Sequence, residues 1–309
     1  MSIEGNPSHA RAVASALLVT FLWSSSWVLI RWGLDSEDLE PIGFAALRYG
    51  LAALILIGWT ASTQPIRHHL THLDRRAAVP ILLLGVVFYA VTQGAQFVAI
   101  DSQPAATTSL VLSLTPLLVA LLGGWSLGEK PSRRQFGGAL LVAAGAWSYF
   151  SGDLGATAIG LTAALIGLGA NVTSALLGRH VNRQSAVPPV VVTTWSMATG
   201  AAILFAVAVA FEGVPTVSPR GWLIILWLAL VNTALAFTLW NLSLRRLSAL
   251  ESAAINNTLL IQIAVLAWIL LDETPGRGEL IGIALVSVGV LLTQGRGAGL
   301  ARFLRPRLR

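Results

Sequence analysis

The chain holds ten runs of predominantly apolar residues, at 12–32, 41–60, 78–99, 103–124, 134–151, 156–178, 188–211, 220–243, 249–271 and 277–294. A hydrocarbon core about 30 Å thick takes roughly 20 residues of α-helix to cross. Lipid offers no partner to backbone N–H and C=O groups, so each run must satisfy its own hydrogen bonds. The runs are continuous rather than alternating, which selects helices over a barrel. The gaps between them are short and leave no room for a soluble catalytic domain. Charged residues make up only 11% of the chain, against about 25% in a soluble domain. Cysteine is absent, which excludes disulfides, thiolate metal sites and a cysteine nucleophile. The expected fold is an all-α integral membrane protein with ten transmembrane helices.

The few charges set an orientation. With ten crossings, loops alternate sides, and cytoplasmic loops carry the excess of Lys and Arg. One side collects Arg11, Arg67, Arg75, Arg76, Lys130, Arg133, Arg134, Arg179, Arg183, Arg245, Arg246 and the tail arginines Arg296, Arg302, Arg305, Arg307 and Arg309. The other side holds Arg31, Arg220 and Arg277, together with acidic loops. Both termini are therefore expected in the cytoplasm, with the chain multi-pass in the inner membrane. The pI near 10.9 reads as this topogenic signal, with the lipid bilayer as the partner rather than nucleic acid. The first run lacks a basic leader and a cleavage site, so it reads as a span and not a removable signal.

The sequence also repeats itself. At an offset of 144 residues Ala105 meets Ala249, Ala120 meets Ala264, Glu129 meets Glu273, Gly138 meets Gly282, Leu141 meets Leu285, Val142 meets Val286 and Gly145 meets Gly289. The polar turn LGEKP answers LDETP. The organisation expected is a cytoplasmic tail 1–11, a first five-span repeat 12–151, a second 152–294, and a basic cytoplasmic tail 295–309. Five is odd, so the second repeat crosses in the opposite sense. The charge pattern agrees, because LGEKP falls on the basic side and LDETP on the acidic side. Inverted repeats are a recurring plan of secondary transporters, whose sites lie near the midplane between the halves.

The motifs WSSSWVLIRWGL (23–34), AALRYGLAALI (45–55), SLTPLLVALLGGWSLGEKPSRRQFGGALLVAAGA (113–146), NTALAFTLWNLSLRRLSALESAA (232–254) and LLDETPGRGELIGIALVSVGVLL (270–292) make the chain resemble the drug/metabolite transporter superfamily. The likeness is to its ten-span EamA-type members and covers 12–294. The resemblance implies two five-helix repeats around a central cavity, and export of amino acids or other small metabolites. The family commonly has a proline in the ninth span matching Pro116, where this chain has Leu260.

Arg48 lies deep within the second span. A cation there is costly and is by default a functional hypothesis: a seat for a substrate carboxylate or an ion-pair gate. The alternative is a structural arginine bonded to helix carbonyls. Glu251, at the start of the ninth span, is a candidate for proton coupling, or a first-turn carboxylate favoured by the helix dipole. Polar and aromatic residues inside spans are candidates for lining a cavity: Trp23, Ser26 and Trp27, then Asn171, Trp195, Asn232, Trp240 and Asn256. Tyr89, Gln93 and Gln96 follow i, i+4, i+7 spacing and would share one α-helical face. The competing role for each is an interhelical hydrogen bond.

No catalytic residue, metal site or cofactor is expected. His69 with Asp74 fits a His-x4-Asp pattern, and His68 with His72 has ligand spacing, but both fall in a short basic loop. No P-loop occurs, so ATP does not drive the protein directly. Nothing in the sequence specifies an oligomeric state. The reading is a secondary transporter that exports small-molecule substrates, amino acids or related metabolites, by alternating access at a central cavity between the two repeats. A multidrug or quaternary-cation proton antiporter of the same fold is the first rival. An integral-membrane enzyme acting on lipid intermediates is the second.

Overall fold

The structure is a computed structural model that describes residues 8–37, 39–103, 105–150, 156–184, 187–259, 261–262 and 276–293. Most of both tails, the LDETP turn and the later part of the ninth run lie outside the described residues. Every regular element among the described residues is helical. The order is α1 (His9–Glu37), α2 (Pro41–Ser62), α3 (Gln64–Thr71), α4 (Arg75–Leu84), a π-helical segment π1 (Gly85–Thr92), α5 (Gln93–Ser102), α6 (Ala105–Leu112), α7 (Thr115–Ser126) and α8 (Arg133–Phe150). It continues with α9 (Ala158–Gln184), α10 (Pro189–Phe211), α11 (Pro219–Trp227), a second π segment π2 (Leu228–Leu235), α12 (Ala236–Ser243), α13 (Ala249–Asn256) and α14 (Arg277–Thr293). By length and apolarity alone, five stretches can cross a membrane: Pro41–Ser62, Arg75–Gln96, Ala158–Arg183, Pro189–Phe211 and Pro219–Ser243. Leu110–Ser126 and Leu280–Thr293 are shorter apolar helices.

Local chemistry sets the helix starts. Pro41, Pro189 and Pro219 open α2, α10 and α11, where a missing N–H costs nothing. Ser218 accepts a bond from Gly221 N at 2.9 Å. Ser248 and Glu251 form a capping box on α13, each satisfying an otherwise orphaned backbone donor.

Two interruptions recur in both halves of the chain. The π segments begin at Gly85 and Leu228, close to the 144-residue offset of the repeat. The run from α6 to α7 breaks at Ser113–Leu114, and the helix of α13 breaks at Asn257–Thr258, at that offset. Pro116 explains the first break, since proline removes a helix donor. The second break occurs although Leu260 replaces the proline. Tight turns take over there: Asn257 N bonds Ala254 O at 3.1 Å and Thr258 N bonds Ile255 O at 2.9 Å. The Asn257 amide then donates to Ser113 O at 2.9 Å. Asn257→Ala is expected to cost about 0.6–2 kcal/mol, the range for an interhelical bond in a membrane. Half-buried Asn256→Ala is the control, and thermal unfolding in detergent compares the two.

Packing pairs elements from the two halves. α2 lies on α10, α8 on α14, α7 on α13, α5 on α9 and α1 on α12. The α8–α14 pair is antiparallel and backbone to backbone. A Cβ on Gly138 would fall 2.7 Å from Gly289 O, and one on Gly145 would fall 2.8 Å from Gly282 O. Small residues at such crossings let helices approach closely where no hydrophobic effect drives them together. Large apolar side chains such as Trp125, Phe211, Leu54 and Leu223 are exposed, as a surface facing lipid tails requires.

Side-chain contacts define two opposite ends. One gathers the start of α1, α3, the LGEKP turn, the end of α9 and the turn before α13, and carries Glu129 with Arg179, Arg183 and Arg245. The other gathers the start of α2 and the end of α10, joined by Glu212.

Candidate functional site

Between the two ends, α1, α2, α12 and the two π segments converge on Arg48. This side chain is 5% exposed. Its Nε donates to Thr233 Oγ1 at 2.8 Å and its Nη2 to Asn232 O at 3.4 Å. Both partners belong to π2. The wider turn of a π-helix replaces i→i−4 bonding with i→i−5, a distortion common at functional sites. Asn232 in turn donates from Nδ2 to Leu22 O and to Ser25 Oγ on α1. Arg48 therefore links α2 to π2, and Asn232 links π2 to α1.

Among the described residues, Arg48 and Glu251 are the only buried charged side chains. No carboxylate pairs with Arg48 among them. A buried charge lacking a counter-ion is expensive, even when neutral groups share its hydrogen bonds. The Arg48 guanidinium carbon lies 5.4 Å from the Tyr49 ring centroid, a distance at which the ring face attracts a cation.

Tyr49 opens a network of aromatic rings. It meets Tyr89 at 5.6 Å and Phe237 at 6.1 Å, centroid to centroid. Phe237 also touches Tyr89 at 5.1 Å, Phe88 at 5.5 Å and Trp23 at 4.8 Å, and Trp23 meets Trp240 at 5.2 Å. Within this network Trp23 Nε1 and Asn232 Oδ1 are buried without a hydrogen-bond partner. The Tyr89 hydroxyl is likewise buried without a hydrogen-bond partner. A buried polar atom left unpaired costs about 1–3 kcal/mol.

The structure thus brings together Arg48, Trp23, Tyr89, Asn232 and Trp240 from the sequence-derived candidates. The other candidates make different contacts or lie outside the described side chains. Ser26 bonds its own helix at Trp23 O. The Trp27 side chain lies outside the described residues. The α-helical spacing drawn for Tyr89, Gln93 and Gln96 does not carry through Gly85–Thr92, which is π-helical. Tyr89 is fully buried, while Gln93 and Gln96 are half-buried at the start of α5. Asn171 donates to Thr115 Oγ1 at 3.2 Å, tying α9 to α7. Trp195 is 37% exposed, and its Nε1 donates to Leu70 O at the Glu129 end. Asn256 is half-buried, and its neighbour Asn257 makes the interhelical bond. Glu251 is occupied at the α13 start: Oε2 accepts from Ser248 N at 2.9 Å, and Oε1 lies 3.1 Å from His9 Nε2.

Sequence reasoning missed Tyr49, Phe88 and Phe237. Two signals pointed to Tyr49 and Phe237, and none to Phe88. Tyr49 follows the intramembrane arginine directly, and Phe237 precedes Trp240 by three residues, hence shares its helix face.

Apolar helices, exposed apolar surface and a buried polar and aromatic centre mark a multi-pass membrane protein. A model of the EamA-like transporter family matches residues 10–151 and 158–294, and the chain belongs to that family, within the drug/metabolite transporter superfamily. It is 26% identical to the probable terminal-alkyne amino-acid exporter of Streptantibioticus cattleyicolor, over 95% of this chain and 96% of that one. It is 24% identical to a probable amino-acid metabolite efflux pump of Escherichia coli, over 90% of this chain and 92% of the relative. The counterpart from Salmonella typhimurium is 26% identical over the same shares. A solved crystal structure at 20% identity superposes with a TM-score of 0.76, covering 91% of this chain and 96% of that one; this likeness shows the fold.

Proposed function

We propose that the protein is a secondary transporter that exports amino acids or closely related small solutes by alternating access. On this reading it crosses the inner membrane ten times, as inverted repeats 12–151 and 152–294, with both termini cytoplasmic. Several observations support the repeat. The helix breaks and π segments recur near one offset, the family match divides at 10–151 and 158–294, and Asn257 bonds Ser113, its equivalent in the other half. The names of the relatives support the substrate class.

The observation that carries the substrate reading is Arg48. Two of its five guanidinium N–H groups are spent on Thr233 and Asn232, and the fork suits a carboxylate. A solute carboxylate would neutralise the buried charge. The unpaired Asn232 Oδ1 would accept from an ammonium group, and the aromatic rings would receive an apolar side chain. The same charge disfavours the rival cation antiporter, because a quaternary ammonium would meet a like charge in a dry site. Proton coupling through Glu251 would require breaking the α13 capping box.

The test is flux into proteoliposomes with a panel of labelled amino acids and quaternary cations. Counterflow of at least one amino acid, without cation flux, is expected. Cation flux driven by a pH gradient, with no amino-acid flux, would reverse the assignment.

A further inference from the structure

Two carboxylates at opposite ends each hold the N-terminus of a helix in the other half of the chain. Glu212, at the end of α10, accepts from Ile42 N at 3.0 Å with Oε1 and from Gly43 N at 2.7 Å with Oε2. Glu129, in the LGEKP turn, accepts from Ala249 N at 3.0 Å with Oε2. Its Oε1 receives Arg179 Nε at 2.8 Å and Arg183 Nη1 at 3.3 Å.

Helix N-termini are ordinarily capped by a residue at or next to the helix start. α2 has no such cap: Glu40 stands at its N-cap and makes no side-chain bond to it. The first-turn donors are left to Glu212, 170 and 169 residues away. α13 has a local capping box for Ser248 N and Glu251 N, yet Ala249 N goes to Glu129, 120 residues away. A helix dipole and a carboxylate make a strong bond at a single point. Such a bond lets go when one side chain moves, whereas a packed interface must be pulled apart whole. Glu129 keeps 18% of its side chain exposed and Glu212 is half-buried, so either can be hydrated once released. A cavity of about 130 Å³ adjoins the Glu129 contact, walled by Ala120, Gly123, Gln135, Ser248 and Leu250.

We propose that Glu129 and Glu212 are the two gate latches of the transport cycle, both closed in this conformation, and that releasing one opens the Arg48 site to that side only. This rests on the alternating-access reading above. The two are not repeat images, since the residue equivalent to Glu129 is Glu273; the ends therefore need not open with equal ease.

The chain contains no cysteine, so one introduced thiol reports without background. Ser25→Cys places it beside Asn232. Modification by a membrane-impermeant maleimide is timed from each face of oriented vesicles. Glu129→Gln is expected to speed labelling about tenfold from the Glu129 face alone, and Glu212→Gln to do so from the opposite face alone. Glu129→Asp and Glu212→Asp, which keep the charge but shorten the reach, give the same pattern if the glutamine forms do not stay folded. Unchanged rates, or equal acceleration from both faces, overturn the proposal. Labelling needs no substrate. Side-specific labelling without amino-acid flux would leave the latches standing and sink the substrate reading, and uniform labelling with intact flux would do the reverse.

Discussion

Replacing Arg48 by glutamine is expected to lower amino-acid flux at least about thirtyfold while the protein stays folded. Losing one partner of a buried, hydrogen-bonded charge pair costs about 2–5 kcal/mol, and each 1.4 kcal/mol is a factor of ten in affinity. The folded state loses far less. Thr233 Oγ1 and Asn232 O lose their donors, at about 1–3 kcal/mol for each group left unpaired. Removing a desolvated charge offsets this. Arg48→Lys keeps the charge but not the planar fork, and is expected to fall between wild type and glutamine. Initial rates in proteoliposomes are read beside thermal unfolding of the same preparations. If glutamine lowered the unfolding temperature as strongly as the flux, Arg48 would be a brace for π2 and not a seat for substrate.

Gly289→Ala should destabilise the protein, and Gly289→Leu should prevent it from accumulating in a folded form. A Cβ at Gly289 would lie 2.6 Å from Gly138 O and 2.8 Å from Val142 N. Backbone cannot swing aside as a side chain can, so α8 and α14 would have to separate. Overpacking of this kind costs about 1–3 kcal/mol and sometimes more. Gly137 provides the contrast, one residue from the crossing, where an added Cβ meets nothing within 4 Å. Gly137→Ala should instead stabilise by about 1 kcal/mol, the helix-propensity gain. Opposite shifts in unfolding temperature from two Gly→Ala changes on the same helix pair would establish the crossing. Equal shifts would refute it.

Hydropathy and turn residues located the described apolar helices closely, because a helix in lipid has little alternative and Pro41, Pro189 and Pro219 mark where helices begin; the short polar helix α3, within the stretch read as a basic loop, has no apolar run to announce it. Arg48 was legible for the same reason: charge is rare in a span, so one arginine stands out. Its surroundings were harder to read. The π segments have no proline and no unusual composition; Gly85 is packed against Ser196 O of α10, and only that tertiary contact distinguishes it from any helical glycine. The Asn257–Thr258 break was hidden because Leu260 occupies the place where proline would announce it. Tyr49 and Phe237 look like ordinary apolar span residues until α2 and α12 converge. Glu129 and Glu212 appear in the sequence as loop acids, and the helix starts they grasp are backbone N–H groups, which carry no sequence signature.

The Asn257–Ser113 contact has a consequence for how such a chain can diverge. Residues 113 and 257 stand 144 positions apart and meet where two helices break. The acceptor is the backbone carbonyl of residue 113, which every residue type supplies, so the contact constrains the side chain at 257 alone. Position 113 can therefore change its side chain without losing the bond, whereas position 257 must keep an amide or another donor of the same reach. Across such a contact one side is free to drift while the other is held, whereas the facing glycines of α8 and α14, which must all stay small, hold both sides at once.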